Sequence, residues 1–445
     1  MKHFKHTADN STFPWNRKIS VIVFTFCLSF FSTNNVCGVT VVPGGKVYSI
    51  TIANPSYKFD HASYSLFIPD SVTTIQGIFI HQHGCTMEGT GQPAAYDIQY
   101  QAFAKKWNLA IIGPDLYPKS DGGCQQWIDP ENGSGSALFA AIDSFSQLAG
   151  HSEIKIAPWL LWGHSGGGYW VLAMLKAYPE RILAVASYSA AFDPNWDFPA
   201  QAAKVPVLLR HAGSGDINSD EVKCWLTSAH IFTTLRNMDG CVTIAHNLNQ
   251  THNFSYIRYM AIPFYEAVLN QRLPKQGSKI MRDMNPLQAW LGDTITNKTY
   301  KSSTYVGDRQ KLCWLPDSIT AVKWSEYVTT GTVSDKTPPP SPHSVKIFDG
   351  KIIWEAEADI ESGIKCFNIY KNSKLIGQLN YQSFDTNGDN CSSVILPKME
   401  YRLDLTPVAS IDTYAISAIN HFNLESLPAT ITCDNSKRTQ QLSKK

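Results

Sequence analysis

The pentapeptide Gly163-His164-Ser165-Gly166-Gly167 constrains this chain more than any other stretch, because of what flanks it. Ala157 to Trp162 is an apolar run of strand length, and Tyr169 to Ala177 is apolar with helical character. A serine framed by glycines at a strand-to-helix junction is a nucleophile elbow. The turn is so tight that the serine takes a strained backbone conformation and its neighbours must be small. Glycines at 163, 166, 167 and 168 meet that demand.

A serine hydroxyl is a poor nucleophile until a histidine takes its proton, and a carboxylate must orient that histidine. On α/β scaffolds that carry such an elbow the chain order is serine, acid, histidine. After Ser165 come two more strand-like runs, Ile182 to Tyr188 and Val205 to Arg210. The second leads into His211-Ala212-Gly213-Ser214-Gly215-Asp216, a Gly-rich loop that delivers an aspartate at a strand's carboxyl end. Asp216 is the expected acid, with Asp220 and Asp193 as alternatives. A further strand, Val242 to His246, is followed by a short loop, His252, and a closing helix expected over Tyr256 to Leu269. That places His252 at the active edge of the sheet as the base, with the strand-end His246 as its rival.

An acyl-transfer centre also needs two backbone donors for the oxyanion, and removing one costs about 10²–10³ in rate. Gly166 supplies one N–H. The other is expected from Cys85, in the loop His81-Gln82-His83-Gly84-Cys85 that follows a strand at Ile75 to Ile80. His81 and His83 imitate a metal pair, but no third ligand of suitable spacing follows, so they read as loop supports. No metal and no cofactor is called for.

Ile80-His81-Gln82-His83-Gly84-Cys85-Thr86, Pro114-Asp115-Leu116-Tyr117-Pro118, Cys124-Gln125-Gln126-Trp127 and the elbow together resemble the polyhydroxybutyrate depolymerase and feruloyl esterase branch of the α/β-hydrolases. The resemblance covers roughly residues 75 to 270, with His164 and Gly166 where depolymerases often carry Leu and Ala. It implies an α/β-hydrolase fold and a secreted serine esterase acting on polyesters, acylated plant polysaccharides or small esters. Trp127 and Trp170, close in sequence to the expected centre, are candidates to line a substrate pocket, as is His164.

The amino-terminal residues carry Lys2, Lys5, Arg17 and Lys18 ahead of an apolar run, Ile19 to Phe31, too short to span a bilayer comfortably. That is the layout of a secretory signal peptide over residues 1–38, with an uncleaved anchor as the alternative and a secreted or periplasmic destination. Export makes the cysteines disulfide candidates. Of ten, eight remain once Cys27 and Cys37 are set aside, and Cys85 with Cys124 and Cys224 with Cys241 are the pairs to examine first. Thirty-eight basic against thirty-seven acidic residues argues against nucleic acid or acidic lipid as a dedicated partner.

At 445 residues the chain is too long for one ordinary core. A catalytic domain is expected over 39–272. An extension packed on it follows over 273–335, with helical pieces at Asn285 to Leu291 and Ser318 to Val328. A stiff Pro-rich linker spans 336–342. Beyond it, short alternating runs at Lys351 to Glu355, Cys366 to Tyr370, Tyr401 to Leu405 and Thr413 to Ile419 imply a β-sandwich over 343–435, ahead of a tail at 436–445. Its Trp354 and Tyr414 resemble the core tryptophan and late-strand tyrosine of a fibronectin type III domain. The segment 385–390 imitates a calcium loop but lacks its glycine and its terminal acid, and reads as a polar turn.

Overall fold

The computed structural model describes residues 38–86, 88–120, 122–192, 196–213, 216, 224–252, 258–274, 280–285, 288–381, 399–402 and 411–434. The expected leader up to residue 37, Cys27, Cys37 and Cys391, the alternative acids Asp193 and Asp220, segment 385–390 and the tail lie outside them.

Apolar runs that alternate with amphipathic stretches build one twisted sheet of nine strands. They are β1 (Gly38–Val42), β2 (Gly45–Ala53), β3 (His61–Pro69), β4 (Gly77–Gln82), β5 (Leu109–Tyr117), β6 (Trp159–His164), β7 (Ile182–Tyr188), β8 (Val207–Ala212) and β9 (Val242–Asn247). Their spatial order is β1-β2-β3-β5-β4-β6-β7-β8-β9. The first three pair antiparallel, as does β3 with β5, and every pair from β5 through β9 is parallel. This is the α/β-hydrolase arrangement, a mostly parallel sheet with one edge of antiparallel strands. Helices cover it: α1 (Ile98–Trp107), α2 (Ser134–Ala149), α3 (Gly166–Ala177), α4 (Ala200–Ala203), α5 (Cys224–Asn237) and α6 (Arg258–Arg272).

Three strands sit two residues further along than their apolar runs. β6 begins after Pro158 and β8 after Pro206, residues without an N–H to give the ladder; their carbonyls accept from Ile78 and Val185 at 2.9 Å. At the other end, β4, β6 and β8 run on into His81-Gln82, Gly163-His164 and His211-Ala212, which are polar or small and mostly buried. The carboxyl edge of the sheet is therefore polar inside the core, as befits a site.

Beyond α6, Trp290–Gly292 (β10), Thr299–Lys301 (β11) and Cys313–Leu315 (β12) form a small antiparallel sheet, and α7 (Ser318–Thr330) packs along β9. The helix expected to Leu291 is not there. Trp290 and Leu291 pair on both sides with Lys301 and Tyr300 and with Leu315 and Trp314, so tertiary pairing overrides the local apolar spacing. The Trp324 indole N–H donates to the Ile244 carbonyl at 2.7 Å, fastening α7 to the edge strand.

The carboxyl-terminal residues form two antiparallel sheets. One holds His343–Phe348 (β13), Lys351–Glu355 (β14) and Glu400–Arg402 (β17); the other orders Lys374–Asn380 (β16), Cys366–Lys371 (β15), Ile411–Ile419 (β18) and Ala429–Asp434 (β19). Ile352, Trp354, Phe367, Ile369, Tyr414 and Ile416 fill the space between them. Ile98, the first residue of α1, joins the same cluster. Next to it the Gln99 amide donates to the Ile360 carbonyl at 2.9 Å, and the Tyr259 hydroxyl to the Ser362 carbonyl at 3.3 Å.

Candidate active site

β6 ends at His164 and α3 starts at Gly166, so Ser165 alone makes the turn, with φ +54° and ψ −117°. Non-glycine residues rarely hold a positive φ, and the surroundings must impose it. They do so with three backbone bonds: Ser165 N–H to the Tyr188 carbonyl (2.8 Å), and its own carbonyl receiving Tyr169 and Ala191 N–H (both 3.1 Å). The glycines leave no room for substitution. A Cβ at Gly163 would stand 2.2 Å from the Gly167 carbonyl oxygen, and one at Gly167 would stand 2.3 Å from that of His83.

Asp216 is fully buried below the β8 edge. Its Oδ1 accepts the Nδ1–H of His252 at 2.6 Å, and its Oδ2 accepts the Ser189 hydroxyl and the Ala212 N–H, both at 2.6 Å. Burial alone would raise this carboxyl, but the bonds from His252, Ser189 and Ala212 override it and hold it down to about 2. With Nδ1–H given to the acid, Nε2 is the nitrogen of His252 left to take a proton. The ring is 31% exposed, and Ser165 is half-buried.

His164 joins the two halves. Its Nε2–H donates to the His252 carbonyl at 2.8 Å, and the two rings lie 4.7 Å apart. The residue before Ser165 thus holds the backbone of His252. Burial, then the neighbouring His252, pushes the His164 pKa well below the ordinary value, so it stays a neutral donor. Its role in the structure is to tether His252; it is only 4% exposed. His246, the alternative base, stacks on His211 at 5.5 Å, and burial lowers its pKa to about 4.

Gly166 and Cys85 lie against each other. A Cβ at Gly166 would stand 3.3 Å from the Cys85 nitrogen and 2.2 Å from its sulfur, so the two residues are in close contact next to Ser165. Cys85 is bonded to Cys124 across a Cα separation of 5.2 Å. The loop is braced by His83, whose Nδ1–H donates to the Gly84 carbonyl (2.6 Å) and whose Nε2 accepts from Leu116 N–H (3.0 Å). His81 stacks on Trp162 at 3.9 Å and 6°, with burial lowering its pKa to about 3. Asp115 takes the amides of Gly89 (3.0 Å) and Gly91 (2.8 Å), holding the continuation of the loop.

Three expectations are corrected. Trp127 and Trp170 are buried, with the Trp170 indole donating to Ser134 Oγ at 3.0 Å and that hydroxyl to the Trp127 carbonyl at 2.7 Å; they are core and offer a ligand no surface. The half-buried aromatic wall next to the elbow is Tyr169, Trp196 and Phe192, with ring centroids 4.7 and 6.1 Å from Tyr169. Cys224 and Cys241 are not joined. They lie at opposite ends of α5, a helix of 14 residues and so about 20 Å long, whereas a disulfide needs Cα atoms within about 7 Å. Cys224 instead donates to the Ser189 carbonyl at 3.0 Å and lies 3.9 Å from His252 Nδ1.

Ser189 and Arg210 escape a reading of the sequence. Arg210, fully buried in β8, donates to Ser189 Oγ at 2.8 Å and to the Thr251 carbonyl at 3.1 Å. An arginine closing an apolar strand was the available signal.

No protein-family model matches the chain, and no curated protein matches it. Among solved structures it is similar to an S-formylglutathione hydrolase from Agrobacterium tumefaciens, at 13% identity and a TM-score of 0.39, over 54% of this chain and 99% of that one. An acetyl xylan esterase from Aspergillus awamori overlaps 42% of this chain and 80% of its own, at 14% identity and a TM-score of 0.32. A ferulic acid esterase overlaps 51% and 95%, at 11% identity and a TM-score of 0.35. At such identity and overlap the likeness carries no substrate and no mechanism over to this chain.

Proposed function

We propose that this protein is a serine hydrolase of carboxylic esters, exported from the cytoplasm. Ser165 attacks the ester carbonyl, and His252 Nε2 takes the hydroxyl proton while Asp216 holds the imidazole through Nδ1–H. The Cys85 and Gly166 amides receive the oxyanion. His252 then returns its proton to the departing alcohol, and water releases the acid from the acyl-enzyme by the same steps in reverse.

One observation carries this reading: the strained Ser165 is followed at once by a glycine packed against Cys85, and preceded by a histidine bonded to the carbonyl of His252, whose ring is bonded to Asp216. The Cys85–Cys124 disulfide supports an extracytoplasmic setting. Among the described residues no helix is long and apolar enough to cross a membrane. Acylated polysaccharide, polyester or small ester is the substrate class suggested by the sequence resemblance. The carboxyl-terminal sheets, three strands facing four, fit a fibronectin type III-like module that binds or spaces.

A fluorophosphonate probe tests the reading directly. The wild-type protein should be labelled and Ser165→Ala should not; an unlabelled wild type would leave the fold without its chemistry. A short p-nitrophenyl ester should turn over far faster than the matched anilide, and the reverse order would make the protein an amidase. A panel of acyl chain lengths, polyhydroxybutyrate film and feruloylated xylan then ranks the substrates.

A further inference from the structure

Behind the acid lies a second, fully buried layer. Ser189 follows β7 with φ +46°, a left-handed conformation, and every polar group it owns is committed. Its N–H donates to the Arg210 carbonyl (2.7 Å), its carbonyl receives the Cys224 thiol (3.0 Å), and its hydroxyl donates to Asp216 Oδ2 (2.6 Å) while accepting Arg210 Nη1 (2.8 Å). The unusual φ is what turns that hydroxyl towards the carboxylate. Arg210 reaches the other way as well, through Nη2 to the Thr251 carbonyl (3.1 Å) and the Gln250 side chain (3.3 Å), in the loop that ends at His252. Gln250 is in turn fastened to the Gly331 carbonyl at 2.6 Å, beyond α7.

Resting on the serine-hydrolase reading, we propose that Ser189 and Arg210 are positioning residues of the hydrolytic centre. The guanidinium aims the Ser189 hydroxyl at Asp216 and, through Thr251, sets the height of the loop that presents His252.

The charge pattern fits. Facing this cluster are His164 from β6, Tyr188 from β7, His211 from β8, Cys224 from α5 and Tyr327 from α7. Burial favours the neutral form of each, lowering both histidines and raising the thiol and the phenols. Arg210 is thus the cation of this layer, joined to Asp216 through the Ser189 hydroxyl. A planar fork suits that task because it can serve Ser189 and Thr251 at once, which a lysine cannot.

The sign of the effect follows. A hydroxyl donated to the carboxylate, and a cation behind it, both draw negative charge away from the bond to His252. Without either, Asp216 carries more of its charge on the oxygen that faces the imidazole, and the acidic limb of the rate profile lies at higher pH.

The test is the pH profile of ester hydrolysis by Ser189→Ala, Ser189→Gly, Arg210→Gln and Arg210→Lys, with thermal unfolding and fluorophosphonate labelling alongside. Both Ser189 variants should lose about 10- to 100-fold in kcat with little change in KM. The acidic limb of their profiles should move up by roughly one pH unit. Ser189→Gly keeps the left-handed backbone at ease, so agreement between the two ties the shift to the hydroxyl. Arg210→Gln should move the limb the same way, and Arg210→Lys should lose kcat while leaving the limb in place. If the arginine variants do not fold, the Ser189 pair decides alone. A labelled wild type whose profile is superimposed on those of both Ser189 variants, with kcat within about twofold, would overturn the inference and spare the hydrolase reading. An unlabelled wild type would remove both.

Discussion

At the scale of single residues the candidate centre is held by the Asp216–His252 bond and by hydrogen bonds from groups around it, Ser189, Ala212 and His164. Asp216→Asn should keep the fold and lose about 10⁴ in kcat, since an amide favours the wrong imidazole tautomer. It should also flatten the acid limb of stability. A carboxyl held at about 2, below its ordinary value, stabilises the fold above the unfolded value near 4, and loses that contribution as pH falls through the gap. The contribution is about 2 kcal/mol, readable by urea unfolding between pH 5 and 2 in wild type and variant. Gly166→Ala should cost at least about tenfold in kcat, because the new methyl occupies the place of the Cys85 sulfur beside the oxyanion amides. The sequence singles out Ser165, Asp216, His252, Cys85 and Gly166 as candidates, because strand ends and chain order limit where such groups can stand, and the structure bonds Asp216 to His252 and brings Cys85 against Gly166. It does not single out Ser189 and Arg210. A serine after a strand looks solvated, and the arginine that closes the apolar run Val205 to Arg210 is a signal of burial but not of its partners.

At the scale of elements, the apolar runs marked the strands but misplaced their ends. β4, β6 and β8 each continue two residues into polar sequence, because the buried edge of this sheet is where the polar groups are needed. A pattern of hydrophobicity measures burial only where burial and apolarity coincide. The Cys85–Cys124 bond closes a loop across a sequence separation of 39, which constrains the unfolded chain by about 4 kcal/mol. Cys124→Ser should therefore lower Tm, and it should also lower kcat, since the sulfur abuts Gly166. Loss of Tm with kcat intact, in assays well below the melt, would mean that the bond serves the fold and leaves the oxyanion loop indifferent.

At the scale of the whole molecule, the sandwich meets the rest of the chain through a buried acid pair. Asp335, before the Pro-rich segment, and Asp359, in the sandwich, both accept from the Asn420 amide, at 2.9 and 3.0 Å, and Ser362 donates to Asp335 at 2.6 Å. Burial, then bonding to Glu361 and to Asp335, pushes Asp359 far above the usual carboxylate range, while hydrogen bonds hold Asp335 low. A raised native value means stability that is complete below about pH 4 and lost as pH rises through the native value. Asp359→Asn, which mimics the protonated form, should leave Tm little changed in mild acid and raise it relative to wild type above neutrality, as followed by calorimetry across pH.

Ile98 opens a helix that covers the large sheet yet sits among the side chains of the sandwich. Cutting the chain at its prolines would strip the cover from Ile98 and Phe67, orphan the Gln99 amide and leave Lys105 without Glu357. The shortened chain should be sticky and prone to precipitate, so an engineer seeking a minimal form would do better to repaint that seam with polar residues than to use scissors alone.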